Sequence, residues 1–185
     1  MRFAVRHLTL RRRSSPGPRR RARGQSLVEF SLVLGPLLLL ILGVVQFGLI
    51  FNSYVTVTNA AREGARTGTI YVYNRTLTKA QNDAARHAAI RDSVLGSMNL
   101  LAKTAPNFTN GSTWTVSGTT YTNGDLAVTY ALPAGVVESD PRTGQKVTVR
   151  LTYHQDLIIP LISSLLPQDA GGRLALAGEV TMVAN

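Results

Sequence analysis

Cysteine is absent from this chain of 185 residues, and so are the short motifs that accompany the commonest catalytic chemistries. The absence of cysteine excludes disulfide bonds and thiolate metal ligands. No G-x-S-x-G, H-E-x-x-H, Walker or dinucleotide-binding glycine pattern occurs. The histidines His7, His87 and His154 share no spacing that is typical of metal ligands. We therefore expect no enzymatic activity, no catalytic residues, no metal and no cofactor.

Acidic residues are missing from residues 1–24, where nine arginines occur. The rest of the chain has eleven Lys and Arg against ten Asp and Glu, so the net charge of +10 belongs almost entirely to this basic segment. Such a segment is typical of a nucleic-acid-binding arm or of the cytoplasmic flank of a membrane span. The arginines end immediately before an apolar run, and no aromatic residue interleaves with their main cluster. This position favours the membrane and argues against a nucleic-acid partner.

Formal charge is also missing from Phe30 to Phe51, a run of 22 residues in which Ser31 and Gln46 are the only clearly polar side chains. A helix of this length extends about 33 Å, which matches a hydrocarbon core of about 30 Å. A cleaved secretory signal has a shorter apolar region followed by small residues, whereas this run continues into Asn52 without an A-x-A pattern. The pattern predicts one span with a cytoplasmic amino terminus. It divides the chain into a leader over residues 1–24, a transmembrane helix over 25–51 and an extracytoplasmic domain over 52–185.

Glu29 is an acid at the edge of this span, where a carboxylate deep in lipid costs about 2.5–3.5 kcal/mol. It can be a tolerated interfacial residue, but its surroundings follow a pattern: Gly24, four residues, then Glu29-Phe30. This arrangement resembles the processing site of type IV prepilins. The resemblance implies cleavage by a prepilin peptidase between Gly24 and Gln25, which makes Gln25 the new amino terminus. It also implies that Glu29 pairs with the terminal amine of a neighbouring subunit, and that Pro36 bends the helix.

The stretch from Gly24 to Arg66, which ends in "NAAREGAR", is similar to the amino-terminal segment of the TadE-like family, pilin-like minor pilins or pseudopilins of the tight adherence system. The resemblance covers about a quarter of the chain. It implies a single-pass subunit in the bacterial cytoplasmic membrane that is involved in pilus assembly or secretion. The implied partners are the lipid bilayer, a prepilin peptidase, other pilin-like subunits and secretion components of the tight adherence system. The alternative is an anchored extracytoplasmic binding module that does not assemble.

The rest of the chain predicts helices followed by strands. The first helix is expected to continue from Gln25 to about Arg66, and Thr78-x-x-Gln81 forms a plausible capping box for a second helix. We expect the buried face of that second helix to contain Ala84, Ala88, Arg91, Val94 or Leu95, Met98 and Leu101.

Strand patterns begin beyond Pro106. The Asn123-Gly124 pair indicates a hairpin turn, and "KVTVRLTYH" and "LALAGEVTMVA" alternate between apolar and polar residues. The segment "LIIPLISSLLP" around Pro160 is expected to be a short broken helix buried against the sheet; the alternative is a patch that rests on a membrane or a partner. The expected fold is α+β, with a pilin-like domain in which the helices cover one face of an antiparallel sheet.

Overall fold

A computed structural model describes residues 21–104, 113–135 and 142–184. These residues form four helices and five strands, and the predicted α+β architecture with an antiparallel sheet is confirmed. In chain order the elements are α1 (Arg21–Thr69), α2 (Lys79–Met98), α3 (Leu100–Thr104), β1 (Thr115–Ser117), β2 (Thr120–Asn123), β3 (Leu126–Ala131), β4 (Lys146–Gln155), α4 (Pro160–Ser163) and β5 (Leu174–Val183).

The helix α1 runs through two compact units of the chain, one that ends at Ile41 and one that begins at Leu42. In the first unit the apolar side chains of α1 are mostly exposed. Such an apolar surface fits a lipid environment, because a helix that is hydrophobic all round must be buried in protein or in a membrane. Within the described residues α1 is the one helix that is long and apolar enough to cross a membrane.

The helix α2 begins at the predicted capping box. Thr78 accepts a hydrogen bond from the backbone N–H of Gln81, whose side chain in turn accepts one from the backbone N–H of Thr78. The predicted buried face was partly wrong. Ala84 is exposed and Arg91 is half-buried. The face that packs inward is rotated and carries polar groups in its first half; its buried residues are Asn82, Asp83, Arg86, His87, Ile90, Val94 and Met98.

The sheet is a meander in which each strand pairs antiparallel with the next, in the order β1-β2-β3-β4-β5. The predicted hairpin is present: Asn123 ends β2 and pairs with Leu126, and Gly124 and Asp125 form the turn to β3. The separate strand β2 was not expected; it pairs with β1 on its other edge. The predicted alternation of β4 and β5 is confirmed, because their inward side chains are buried or half-buried; these are Val147, Val149, Leu151, Tyr153, Leu174, Leu176, Val180 and Met182.

The carboxyl-terminal part of α1 packs closely against α2 and the sheet, and a side chain at any of three glycine positions would force its neighbours to move. A Cβ on Gly64 would lie 2.6 Å from Cγ2 of Val94, and one on Gly178 would lie 3.0 Å from the Cα of Thr58. Gly68 is similarly close to α2. Glycine weakens a helix interior, yet α1 continues through both Gly64 and Gly68. Their role is to let the helices approach closely.

The segment around Pro160, residues 157–166, is hereafter called the apolar loop. It contains the short helix α4, as expected, but burial against the sheet was wrong for most of it. Ile162 is the one buried residue of the loop. It packs on α1 beside Gly43, and a Cβ added to Gly43 would lie 3.6 Å from Cδ1 of Ile162. Ile158, Leu161 and Leu165 are exposed. The loop contacts α1, where Ile162 approaches Gly43 and the backbone N–H of Ile158 bonds Gln46.

Candidate functional site

The predicted processing segment lies in the first turns of α1. Gly24, Gln25, Glu29 and Phe30 are all exposed. The Nε2 group of Gln25 donates a hydrogen bond to Oε1 of Glu29 over 3.2 Å. None of the residues that the structure describes forms an ion pair with Glu29. The carboxylate of Glu29 is thus hydrogen-bonded to one neutral amide, that of Gln25. It remains accessible to an approaching cation.

Gly24 is not required by the packing of the chain. A Cβ added at Gly24 meets no atom within 4 Å, in contrast to Gly64 and Gly178. Its backbone is helical, and alanine is better suited to a helix than glycine by about 1 kcal/mol. The described packing therefore does not require glycine at this position, and its role in processing stays a prediction.

Pro36 lies inside α1, which continues on both sides of it. Proline removes one backbone donor and crowds the preceding turn, so a bend at this position remains a prediction.

Comparison with known families found a match that covers most of α1. Residues 24–66 match the family model described as TadE-like protein. Comparison with curated proteins and with solved structures found no significant match. The resemblance expected from the sequence is confirmed over the same stretch. It covers α1 from the predicted processing site almost to its end, and not α2 or the sheet.

The end of the TadE-like segment, "NAAREGAR", is a packing element. Ala60, Ala61 and Ala65 are fully buried, and small side chains at this spacing bring α1 close to α2 and the sheet. Charged residues of the same stretch lie at the surface, where Glu63 and Arg66 form a partly exposed ion pair at 2.5 Å.

A buried polar cluster lies between α2 and the strands, and sequence reasoning missed it. Arg142 donates from Nε and Nη2 to the two carboxylate oxygens of Asp83, over 2.9 and 2.7 Å. The guanidinium of Arg142 also lies 3.8 Å from the ring centre of Tyr130. Burial raises the pKa of Asp83, but the hydrogen bonds and charge of Arg142 outweigh burial, so the net pKa is lowered. The pair is ionised at neutral pH and joins α2 to the segment before β4.

Arg86 lies beside this pair and carries unsatisfied donors. Its side chain is 4% exposed, and its Nε and Nη1 groups have no hydrogen-bond partner within the described part of the chain. The guanidinium lies 4.9 Å from the ring centre of Tyr71, so the aromatic face compensates part of the lost hydration. The cluster therefore holds more positive than negative charge, which makes Asp83 essential to it.

His87 sits beside a cavity of about 510 Å³ whose lining is mostly apolar and includes Trp114 and Tyr121. Its Nε2 lies 2.9 Å from the hydroxyl of Tyr130, and its ring is 4.2 Å from that of Tyr121, centre to centre. Burial lowers the pKa of His87 to about 4 and raises the pKa of Tyr130 to about 12. His87 is therefore a neutral histidine of the core at neutral pH.

We predict that folding stability falls as the pH drops from about 6.5 to about 4. The unfolded histidine, with a pKa near 6.5, binds a proton in this window, whereas His87 in the folded chain does not. The loss is at most about 3 kcal/mol. Four charged groups face His87; they are Asp83, Arg142, Arg86 and Lys79.

The measurement is urea unfolding of the detergent-solubilised chain at several pH values, followed by the fluorescence of Trp114, the only tryptophan. His87→Gln, which keeps a side chain able to bond Tyr130, should flatten the dependence between pH 6.5 and 4. The control is His154→Gln, because the pKa of His154 is raised and its contribution is lost as pH rises. An unchanged slope in His87→Gln would contradict this assignment.

His154 connects two acids that are distant in sequence. Its Nδ1 is hydrogen-bonded to Asp169, and its Nε2 lies 3.4 Å from an oxygen of Asp125. Burial opposes protonation of His154, but these two carboxylates outweigh it and raise its pKa. The imidazole thus brings these two acids together. The described residues contain no group of three or more acids or histidines arranged to hold a metal ion.

Proposed function

We propose that this protein is a membrane-anchored, pilin-like subunit of a pilus assembly or secretion apparatus of the tight adherence type. The observation that carries the proposal is the coincidence, at the start of one apolar helix, of the TadE-like match with Gly24 and the acid-aromatic pair Glu29-Phe30. The positive-inside rule puts the nine leader arginines in the cytoplasm and the domain over residues 52–185 outside.

In this proposal a prepilin peptidase removes the leader after Gly24, and the mature chain begins at Gln25. Glu29 then serves assembly by pairing with the amine of another subunit. Exposure of Glu29 on the helix supports this role, because the pairing requires access from a neighbouring chain. The partners are lipid, the peptidase, other pilin-like subunits and the secretion components of the system.

A second candidate function is an anchored binding module that never assembles. The cavity beside His87 favours it, since an apolar pocket with a few polar groups is the usual form of a small-molecule site. The two functions differ in processing: a module that only binds needs its anchor but has no need to lose its leader.

The test is cleavage of the leader. Mass spectrometry of the chain extracted from membranes of its native host should show a mature form that begins at Gln25 and lacks all nine leader arginines. Gly24→Val should abolish this form, because a branched side chain at the cleaved bond obstructs a site that accepts glycine.

Gly35→Val is the matched control. Gly35 lies on the same helix and, like Gly24, has open space where a side chain would be added. It should be processed as the parent is. A mature form with another amino terminus, or an intact leader in the parent chain, would reject the proposal and favour the binding module.

A further inference from the structure

The apolar loop presents large hydrophobic side chains on the outside of the molecule. Ile158, Leu161 and Leu165 are 68%, 55% and 80% exposed. No charged residue occurs from Leu157 to Gln168. Scattered exposed apolar residues are ordinary, but three in one uncharged loop form a surface that water solvates poorly.

Several polar groups of the loop are hydrogen-bonded within the protein, although Nε2 of Gln46 beside it has no partner in the described part of the chain. Oε1 of Gln46, on α1, accepts a hydrogen bond of 3.0 Å from the backbone N–H of Ile158. The hydroxyls of Ser163 and Ser164 donate to carbonyl oxygens of the loop itself, over 2.7 and 2.9 Å. Irregular backbone is tolerated at membrane depth only when its polar groups are paired by protein or water. The contact also explains why a glutamine interrupts the apolar run: its side chain is buried against the loop.

The loop touches α1 inside the apolar run. Its contacts are with Gly43 and Gln46, which precede Phe51, the end of the uncharged run, by eight and five residues. At the rise of an α-helix these positions lie about 12 and 8 Å before that end. Segments that rest in the boundary between headgroups and acyl chains are buried by about 5–10 Å. A span that includes this part of α1 therefore brings the loop to the same level.

The base of the loop is held by charged groups on both sides. Arg173 pairs with Asp156 over 2.8 Å, and His154 is bonded to Asp169. These residues flank the uncharged stretch, so charge stops where the apolar side chains begin. The arrangement has the form of a fixed apolar tip with a polar base, which is the pattern expected at a membrane surface.

We propose that the apolar loop inserts into the outer leaflet of the membrane that α1 spans, with acyl chains covering Ile158, Leu161 and Leu165. The proposal rests on the membrane span of the proposed function. Lipid is the occupant because the neighbouring turns of α1 also expose apolar side chains, among them Leu42 and Val45, and the loop extends this surface. The outer domain is thereby attached to the bilayer at a second point.

The test uses the full-length chain in vesicles of phosphatidylethanolamine and phosphatidylglycerol. Because the chain has no cysteine, Leu161→Cys and Leu165→Cys can each carry one bimane label. The matched controls are Leu39→Cys inside the predicted span and Val72→Cys, an exposed apolar position outside it. Lipids with nitroxide-labelled acyl chains should remove most of the emission from the labels at Leu39, Leu161 and Leu165, and leave that at Val72 nearly unchanged.

Quenching at Leu39 without quenching at Leu161 and Leu165 would overturn the loop proposal and leave the span intact. Loop labels that report an apolar environment but resist the lipid quencher would also overturn it, since a second copy or another protein would then cover the loop. Full emission at Leu39 would reject the span itself, and both proposals with it.

Discussion

Replacement of Asp83 by asparagine is expected to lower the free energy of unfolding by about 3–5 kcal/mol. The substitution keeps the shape of the side chain but leaves Arg142 buried without its counter-charge. Arg86, buried alongside with two unsatisfied nitrogens, increases the excess of positive charge. Domains are stable by about 5–15 kcal/mol. A loss of this size therefore removes a large part of the free energy of unfolding, and it should prevent folding if the parent chain is only marginally stable.

The experiment is urea unfolding of the detergent-solubilised full-length chain at neutral pH. Trp114 is a local reporter, because its ring lies 5.0 Å from that of His87. Asp92→Asn is the matched control. Asp92 belongs to the same helix and pairs with Arg91, but its side chain is 65% exposed, and exposed pairs contribute about 0–1 kcal/mol.

The double variant Asp83→Asn with Arg142→Gln separates pairing from burial. Removing both charges should recover part of the stability lost in Asp83→Asn, because the cost of the single change is mainly an orphaned cation.

Unfolding at acid pH gives an independent check. The lowered pKa of Asp83 contributes stability that is present above its unfolded pKa and is lost as pH falls through the folded one. Asp83→Asn should lack that loss, and equal stability of the parent and Asp83→Asn at neutral pH would contradict the role assigned to the pair.

Local signals in the sequence predicted local structure well. The capping box at Thr78 and Gln81 and the alternation of β4 each depend on residues that are close in sequence, so their physics is visible in the sequence alone. The same holds for α1, whose helical period and lack of charge are properties of one continuous stretch. The TadE-like match falls on this stretch.

Contacts between distant residues were not predictable in this way. Asp83 and Arg142 are 59 positions apart in sequence, and neither belongs to a pattern that selects a partner. Their pairing also explains the rotated face of α2: a sequence reading assigns charged residues to solvent, whereas here Asp83 and Arg86 are buried and Ala84 is exposed.

The prediction that the apolar loop is buried against the sheet failed for another reason. Its apolar composition predicts that the loop is removed from water. Composition does not say whether the sheet, α1 or lipid covers it. The sequence alone favoured the sheet because the sheet was the nearest predicted apolar face. The hydrogen bond from Ile158 to Gln46, across 112 positions, shows that α1 receives the loop instead.

Glu29→Ala is expected to leave membrane insertion intact and to reduce incorporation into pilus or secretion assemblies by about a hundredfold or more. Insertion should persist because the change removes a costly group from the edge of the apolar run. Assembly should fail because the amine of the neighbouring subunit is left unpaired near hydrocarbon. If that pair is fully buried, breaking it costs about 3–5 kcal/mol, and each 1.4 kcal/mol is about a tenfold change in an equilibrium.

Glu29→Gln distinguishes charge from shape, because the amide keeps the size of the side chain and its contact with Gln25 but cannot neutralise an amine. It should fail to assemble to nearly the same extent as Glu29→Ala.

Ser31→Ala is the matched control. Ser31 is also polar and lies on the same turn, but its hydroxyl donates a hydrogen bond within the helix to the carbonyl of Val28 over 3.0 Å. The measurement is recovery of each variant with its assembly partners after the amino terminus has been confirmed by mass spectrometry, so that a processing defect is not counted as an assembly defect. Equal recovery of the parent, Glu29→Ala and Glu29→Gln would remove the acid from assembly and leave it as an interfacial residue of an anchored binding module.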